Sequence, residues 1–197
     1  MRIQIILTMA VLSVAARADS DVTIYTNIEP NTGGAVEHAR KAATEAFAAV
    51  GVRAEWRAGR PSRDQIRDNT AIVINLVDRS DPAFRPGALA WTDLCEGVHI
   101  TVYWDRIAGR HRPASASVVL AHVLVHEVTH VLQGIDWHAE SGVMKARWTN
   151  EDYQAMRNKM LPFTPHDLEL IQLGLARRSS ETPQTYATIL RSSNNRP

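Results

Sequence analysis

The 197-residue sequence has one cysteine, Cys95. A single thiol forms no internal disulfide, so stability has to come from packing and, where ligands allow, from metal. A lone cysteine of this kind is expected as a small buried residue rather than a nucleophile. The sequence also lacks a charge of one sign: 22 Lys and Arg stand against 21 Asp and Glu. That balance offers no electrostatic case for nucleic acid or an anionic membrane as partner. There is no internal repeat, and no linker strong enough to divide the chain. Long apolar runs are scarce as well. The run from Ile3 to Ala16 is shorter than the ~20 residues a membrane span needs, and no other segment is expected to cross a bilayer.

That N-terminal run has the pattern of a secretory signal peptide. Arg2 precedes it, and Ala16-Arg17-Ala18 follows it with small residues at −3 and −1. Cleavage is expected after Ala18, giving a secreted or periplasmic protein. No cysteine stands at the cleavage point, so no lipid anchor is expected once the signal is removed. Loss of Arg2 and Arg17 takes the formal charge from +1 to −1. Residues 19–177 then suit a single domain with a real core, and residues 178–197, rich in Ser, Thr and Asn, read as a fraying tail.

Within 19–177 the hydrophobic periodicity changes along the chain. Val22–Ile28 is β-branched and aromatic, hence a strand. Ala35–Val50 carries Val36, Ala39, Ala43, Ala46, Phe47 and Val50 on one helical stripe, with Gly51 as its stop. Val52, Ala54 and Trp56 alternate with polar residues, which predicts a half-buried strand. Residues 59–70 read as a loop, and Ala71–Val77 is an unbroken apolar run of strand length, expected at the centre of a sheet. Asp78–Gly87 reads as a surface loop, Ala88–Thr92 as a short strand and Gly97–Trp104 as a clear alternating one. A long helix is expected from Ala114 to Gln133. Two more should start at Thr149 with Asp152, and at Thr164-Pro165 with Asp167, by N-capping. The fold class is therefore α/β (α+β): a twisted mixed sheet with a backing helix, then a long helix, then a mainly helical C-terminal part.

The chemistry concentrates on that long helix, at His126-Glu127-Val128-Thr129-His130. Residues four apart share a helix face with Cβ atoms about 5–6 Å apart. Two imidazoles so placed can close on one zinc ion, and the glutamate between them can take a proton from an attacking water rather than coordinate. Val119, Leu120, Val123, Leu124, Val128, Val131 and Leu132 surround the pair. Burying two imidazoles and a carboxylate there without a shared partner would be costly. A catalytic zinc needs a third protein ligand and an open position. Gly134 breaks the helix after His130, and His138 follows where a returning chain can bring it back. Ser141-Gly142-Val143-Met144 then forms a tight turn.

This stretch resembles the metzincin metallopeptidases, including secreted bacterial proteins with the same stretched spacing. In metzincins, H-E-x-x-H-x-x-G-x-x-H supplies three histidines and a later turn places a methionine beneath the metal. The resemblance implies His126, His130 and His138 as zinc ligands, Glu127 as general base, Gly134 as helix breaker and Met144 as turn methionine. The motif covers His126 to Met144, and the strand–helix order extends the likeness loosely over residues 22–176. Here the glycine comes one residue late and the third histidine two. Asp136 stands where the usual third histidine would be and is the other candidate ligand; the later glycine, by shifting the turn, favours His138. Lys145 follows the methionine and the nearest tyrosine is Tyr153, so no residue is assigned to stabilise an oxyanion.

The function implied is a secreted zinc metallopeptidase acting on a peptide or protein substrate. By the same analogy the strand Gly97–Trp104 is the edge strand that binds substrate backbone. Three alternatives stand beside it. One is a zinc peptidase of the gluzincin type with Glu151 as third ligand, another a non-catalytic zinc- or peptide-binding domain, and the third a metal-dependent hydrolase of other substrates. His122, one turn before His126, is expected to be packed or to line the cleft, and Trp91, Trp104 and Trp148 to form core or cleft wall.

Overall fold

The structure, a computed structural model, describes residues 20–28, 31–67, 71–80, 85–93, 98–110 and 113–180. The segment expected to be a signal peptide, Cys95 and most of the expected C-terminal tail lie outside them. Eleven elements follow in order. They are β1 (Ser20–Ile28), α1 (Ala35–Ala48), β2 (Val52–Ala58), α2 (Arg63–Arg67), β3 (Ala71–Val77), β4 (Ala90–Asp93), β5 (His99–Tyr103), α3 (Trp104–Ala108), α4 (Pro113–Gln133), α5 (Asn150–Met156) and α6 (Pro165–Ser180).

Five strands form one twisted mixed sheet in the order β2-β1-β3-β5-β4. β1, β2, β3 and β5 are parallel, and β4 alone runs antiparallel, against β5. The apolar run 71–77 is the central strand, as its unbroken hydrophobicity requires of a strand covered on both faces. Registers carry one face through Val22 and Ala54, then Ile24 and Ile72, then Ile74 and Ile100, then Leu76 and Val102. All these side chains are buried and join the main core with Phe47 of α1 and Leu120, Leu124, Val128 and Val131 of α4. The helices α1 and α4 pack along one another on this face.

Three local expectations are corrected. Residues 63–67 form a short helix inside the stretch read as loop. Trp104 opens the helix α3 instead of ending a strand, because β5 stops at Tyr103. Most consequential, β5 is not the edge strand: β3 and β4 flank it, and β4 holds the edge. The long helix begins at Pro113, whose missing N–H costs nothing in a first turn, and α6 continues to Ser180, past the start assigned to the tail.

The expectation that nothing beyond the N-terminal run is long and apolar enough to span a bilayer is also corrected. Ser115–Gln133 passes by length and composition, but 89% of it is buried in the protein, as befits a core helix. Its C-terminal end is closed by other elements. Gly134 adopts a left-handed conformation, φ 68°, and donates to the His130 carbonyl. Arg177 and Arg178 of α6 donate to the carbonyls of Gln133 and Val131 at 2.9 and 3.0 Å. Those two cations meet carbonyls that the helix itself leaves unpaired, at the negative end of its dipole.

Candidate metal centre

His126, Glu127 and His130 are buried in the C-terminal half of α4, with His130 in its last turn. Beyond Gly134 the chain reverses, and His138 returns to the helix face with 34% of its side chain exposed. The ligand atoms of His126, His130 and His138 lie within 4.8 Å of one another, and among the described residues they are the one group able to hold a metal ion. The ring centroids are 4.7, 4.8 and 5.3 Å apart.

Backbone carbonyls set the two helical imidazoles. His126 Nδ1 lies 2.8 Å from the Val143 carbonyl and His130 Nδ1 lies 3.2 Å from that of Ile135. Carbonyls only accept, so both Nδ1 atoms carry the proton and both Nε2 atoms are bare. These two Nε2 atoms face one another at 3.0 Å. With no proton between them, that approach sets lone pair against lone pair, and a cation bound by both removes the repulsion. Two nitrogens at 2.0–2.1 Å from a tetrahedral zinc are about 3.3 Å apart, so the arrangement fits a zinc site. Burial, with neighbouring imidazoles, pushes His130 down to about 3. Burial also lowers His126 and His138, so all three stay in the neutral, ligand-competent form.

The returning loop is strapped at several points. Ala139 N–H donates to the Met144 carbonyl at 2.9 Å, and Val143 N–H to that of Pro162 at 3.0 Å. Gly142 turns at φ 79°, where a Cβ would stand 2.2 Å from the Pro162 oxygen. Met144 is fully buried in the core. The turn thus delivers the Val143 carbonyl to His126 while burying Met144 in the core.

Glu127 is buried, and burial pushes its carboxyl up to about 7 against the opposing pull of the Thr92 hydroxyl. Thr92 Oγ1 donates to Glu127 Oε2 at 2.5 Å. The candidate base therefore sits close to neutrality in its proton affinity, a value suited to general base work.

Asp136 is not brought into the ligand group. Its carboxylate is 77% exposed and stands 3.8 Å from His138 Nδ1. Glu151 is exposed in the first turn of α5, bonded to Thr149, and does not join the group either. His122 is packed: Nδ1 donates to the Val118 carbonyl at 2.8 Å and Nε2 accepts from Leu161 N–H at 3.1 Å. Trp148 stands edge-on to His126 and His122 at 5.7 and 6.2 Å, walling the site. Trp104 packs partly buried against the core. Trp91 sits in the edge strand under the Arg85 guanidinium. Sequence reasoning had no signal for Thr92, which depends on pairing across distant segments, or for the Val143 and Ile135 carbonyls, since every residue carries such a group.

No family model matches the sequence, and no curated protein matches it. Among solved structures the chain is similar to archaemetzincin from Methanopyrus kandleri, with a TM-score of 0.50 and 15% identity over 84% of this chain and 99% of that one. At such identity the likeness is one of fold, and the five-stranded mixed sheet with its helices is an archaemetzincin-like fold.

Proposed function

We propose that the chain is a secreted zinc-dependent peptidase that hydrolyses peptide bonds, with His126, His130 and His138 holding the metal and Glu127 as general base. One observation carries this reading: three neutral imidazoles converge beside a buried carboxylate that is next in sequence to the first of them. The fold shared with archaemetzincin agrees with the metzincin resemblance of the motif.

In this reading a bound zinc ion supplies Lewis acidity, making water more acidic and polarising the scissile carbonyl. The carbonyls of Val143 and Ile135 keep the Nδ1 protons of His126 and His130 in place, so that Nε2 stays the donor atom. The Glu127 carboxylate takes the proton of the attacking water and hands it to the leaving amine nitrogen. The apolar residues around α4 and the Trp148 ring limit solvent at the site, which strengthens each of these interactions.

The experiment measures zinc content and hydrolysis of an unstructured protein by the mature chain, wild type against Glu127→Gln. Wild type should bind zinc and cleave, while Glu127→Gln should keep the zinc and lose ~10²–10⁴-fold in turnover. A wild type that binds zinc and cleaves nothing would favour a binding module. Export is read from the same preparation, since the secreted chain should begin at Asp19, and recovery of full-length protein in the cytoplasm alone refutes it.

A further inference from the structure

We infer that Thr92 on the edge strand is the positioning residue of Glu127: its hydroxyl grips one oxygen of the carboxylate and holds the side chain against the three-histidine site. The inference rests on the peptidase reading above and extends it to a residue outside the motif.

The placement follows from register. β4 pairs antiparallel with β5, setting Thr92 opposite Ile100, and Ile100 pairs in turn with Ile74. Both isoleucines are fully buried on the sheet face that packs on the helices. Paired residues share a face, so Thr92 faces α4, while its neighbours Trp91 and Asp93 fall on the other side. From there Oγ1 reaches Glu127 Oε2 at 2.5 Å and the Glu127 carbonyl at 3.4 Å. A hydroxyl has one proton, and the shorter, charge-assisted contact takes it.

Among the described residues nothing else performs this task. One helical turn to either side of Glu127, at spacings of four, stand Val123 and Val131, which offer no donor. Among the described residues Thr92 is the one hydrogen-bond donor to the carboxylate. A glutamate has three side-chain torsions, and a base displaced by about 1 Å can lose on the order of 100-fold in rate. Fixing Oε2 from the sheet removes that freedom without drawing on any metal ligand.

Thr92→Val keeps the branched shape and strand preference and deletes only the hydroxyl; Thr92→Ser restores it. With zinc-loaded protein and an unstructured protein substrate, Thr92→Val should lower kcat by about 10- to 100-fold with KM and zinc content unchanged. Thr92→Ser should recover most of the loss. A second arm uses zinc-free protein. Thr92→Val should lower the melting temperature when Glu127 is present, because a buried carboxylate loses its donor. In a Glu127→Ala background the shift should be much smaller, because the hydroxyl there keeps only the 3.4 Å contact to the main-chain carbonyl of position 127. Wild-type kcat in Thr92→Val, loss of zinc in that variant, or the same thermal shift in both backgrounds overturns the inference. If wild type cleaves nothing, the peptidase reading fails by itself, and the thermal comparison alone decides whether Thr92 holds Glu127.

Discussion

Replacing Gly142 by alanine tests the link between the turn and the metal centre. Two costs add at this position. The backbone has φ 79°, where an L-residue with a Cβ is disfavoured by about 1–2 kcal/mol. The new Cβ would also stand 2.2 Å from the Pro162 carbonyl oxygen, a backbone atom that cannot swing aside. The turn must therefore shift by roughly 1 Å, an overpacking of the kind that costs about 1–3 kcal/mol. Together about 2–5 kcal/mol is lost. At about 2–4 °C per kcal/mol for a chain of this size, the zinc-free melting temperature falls by roughly 4–20 °C.

The shift also moves the Val143 carbonyl, which lies 2.8 Å from His126 Nδ1. Zinc affinity should drop by about 10- to 100-fold, as when a partner that orients a metal ligand is lost. Gly134→Ala is the control: φ is 68° there, but nothing lies within 4 Å of an added Cβ, so only the conformational cost of about 1–2 kcal/mol remains. Differential scanning fluorimetry in chelator and a competitive zinc titration read the two effects. If Gly142→Ala melts no lower than Gly134→Ala and binds zinc like wild type, the close approach to Pro162 is not what holds the turn.

Three further outcomes follow from other parts of the structure. His138→Ala should abolish most zinc binding and Asp136→Ala should retain it, since Asp136 lies outside the ligand group; the reverse result in a metal assay would make Asp136 the ligand. Gly174→Ala should destabilise, although alanine in a helix interior normally gains about 1 kcal/mol, because its Cβ would fall 1.8 Å from the Leu132 carbonyl oxygen; a raised melting temperature contradicts the close α4–α6 packing. His122 is held below its usual imidazole range by burial, so its contribution is complete above an unfolded value of about 6.5 and is lost as pH falls below that. In chelator, His122→Gln should flatten the decline of stability below pH 6.5, and an unchanged slope would show that His122 does not take part.

The elements whose cause is local could be read from the chain. Thr149 and Asp152 form a reciprocal capping box at α5, and Thr164 with Asp167 does the same at α6, because capping needs only residues three apart. The central place of β3 follows from its uninterrupted apolar run. The i, i+4 spacing of His126 and His130 needs nothing but a helix to bring the rings together, and Gly134 marks where that helix must end. Even the return of His138 was legible as a turn, though only the folded loop separates it from Asp136 by aiming one into the group and the other into solvent.

Tertiary structure alone decided what depends on pairing between segments far apart in the chain. Strand order is one such feature: alternation predicts a strand over 97–104, of which His99–Tyr103 forms β5, but carries no information on its neighbours, and β4 took the edge. The same pairing turns Thr92 toward Glu127, 35 residues later. Val143 serves His126 through a main-chain carbonyl that every residue possesses, so no side-chain pattern announces it. Arg177 and Arg178 close α4 from 44 and 47 residues away. Periodicity records which face of an element is apolar, and a motif records which atoms can share a metal. The partners that hold those atoms in place arise only when sheet and helices are packed together.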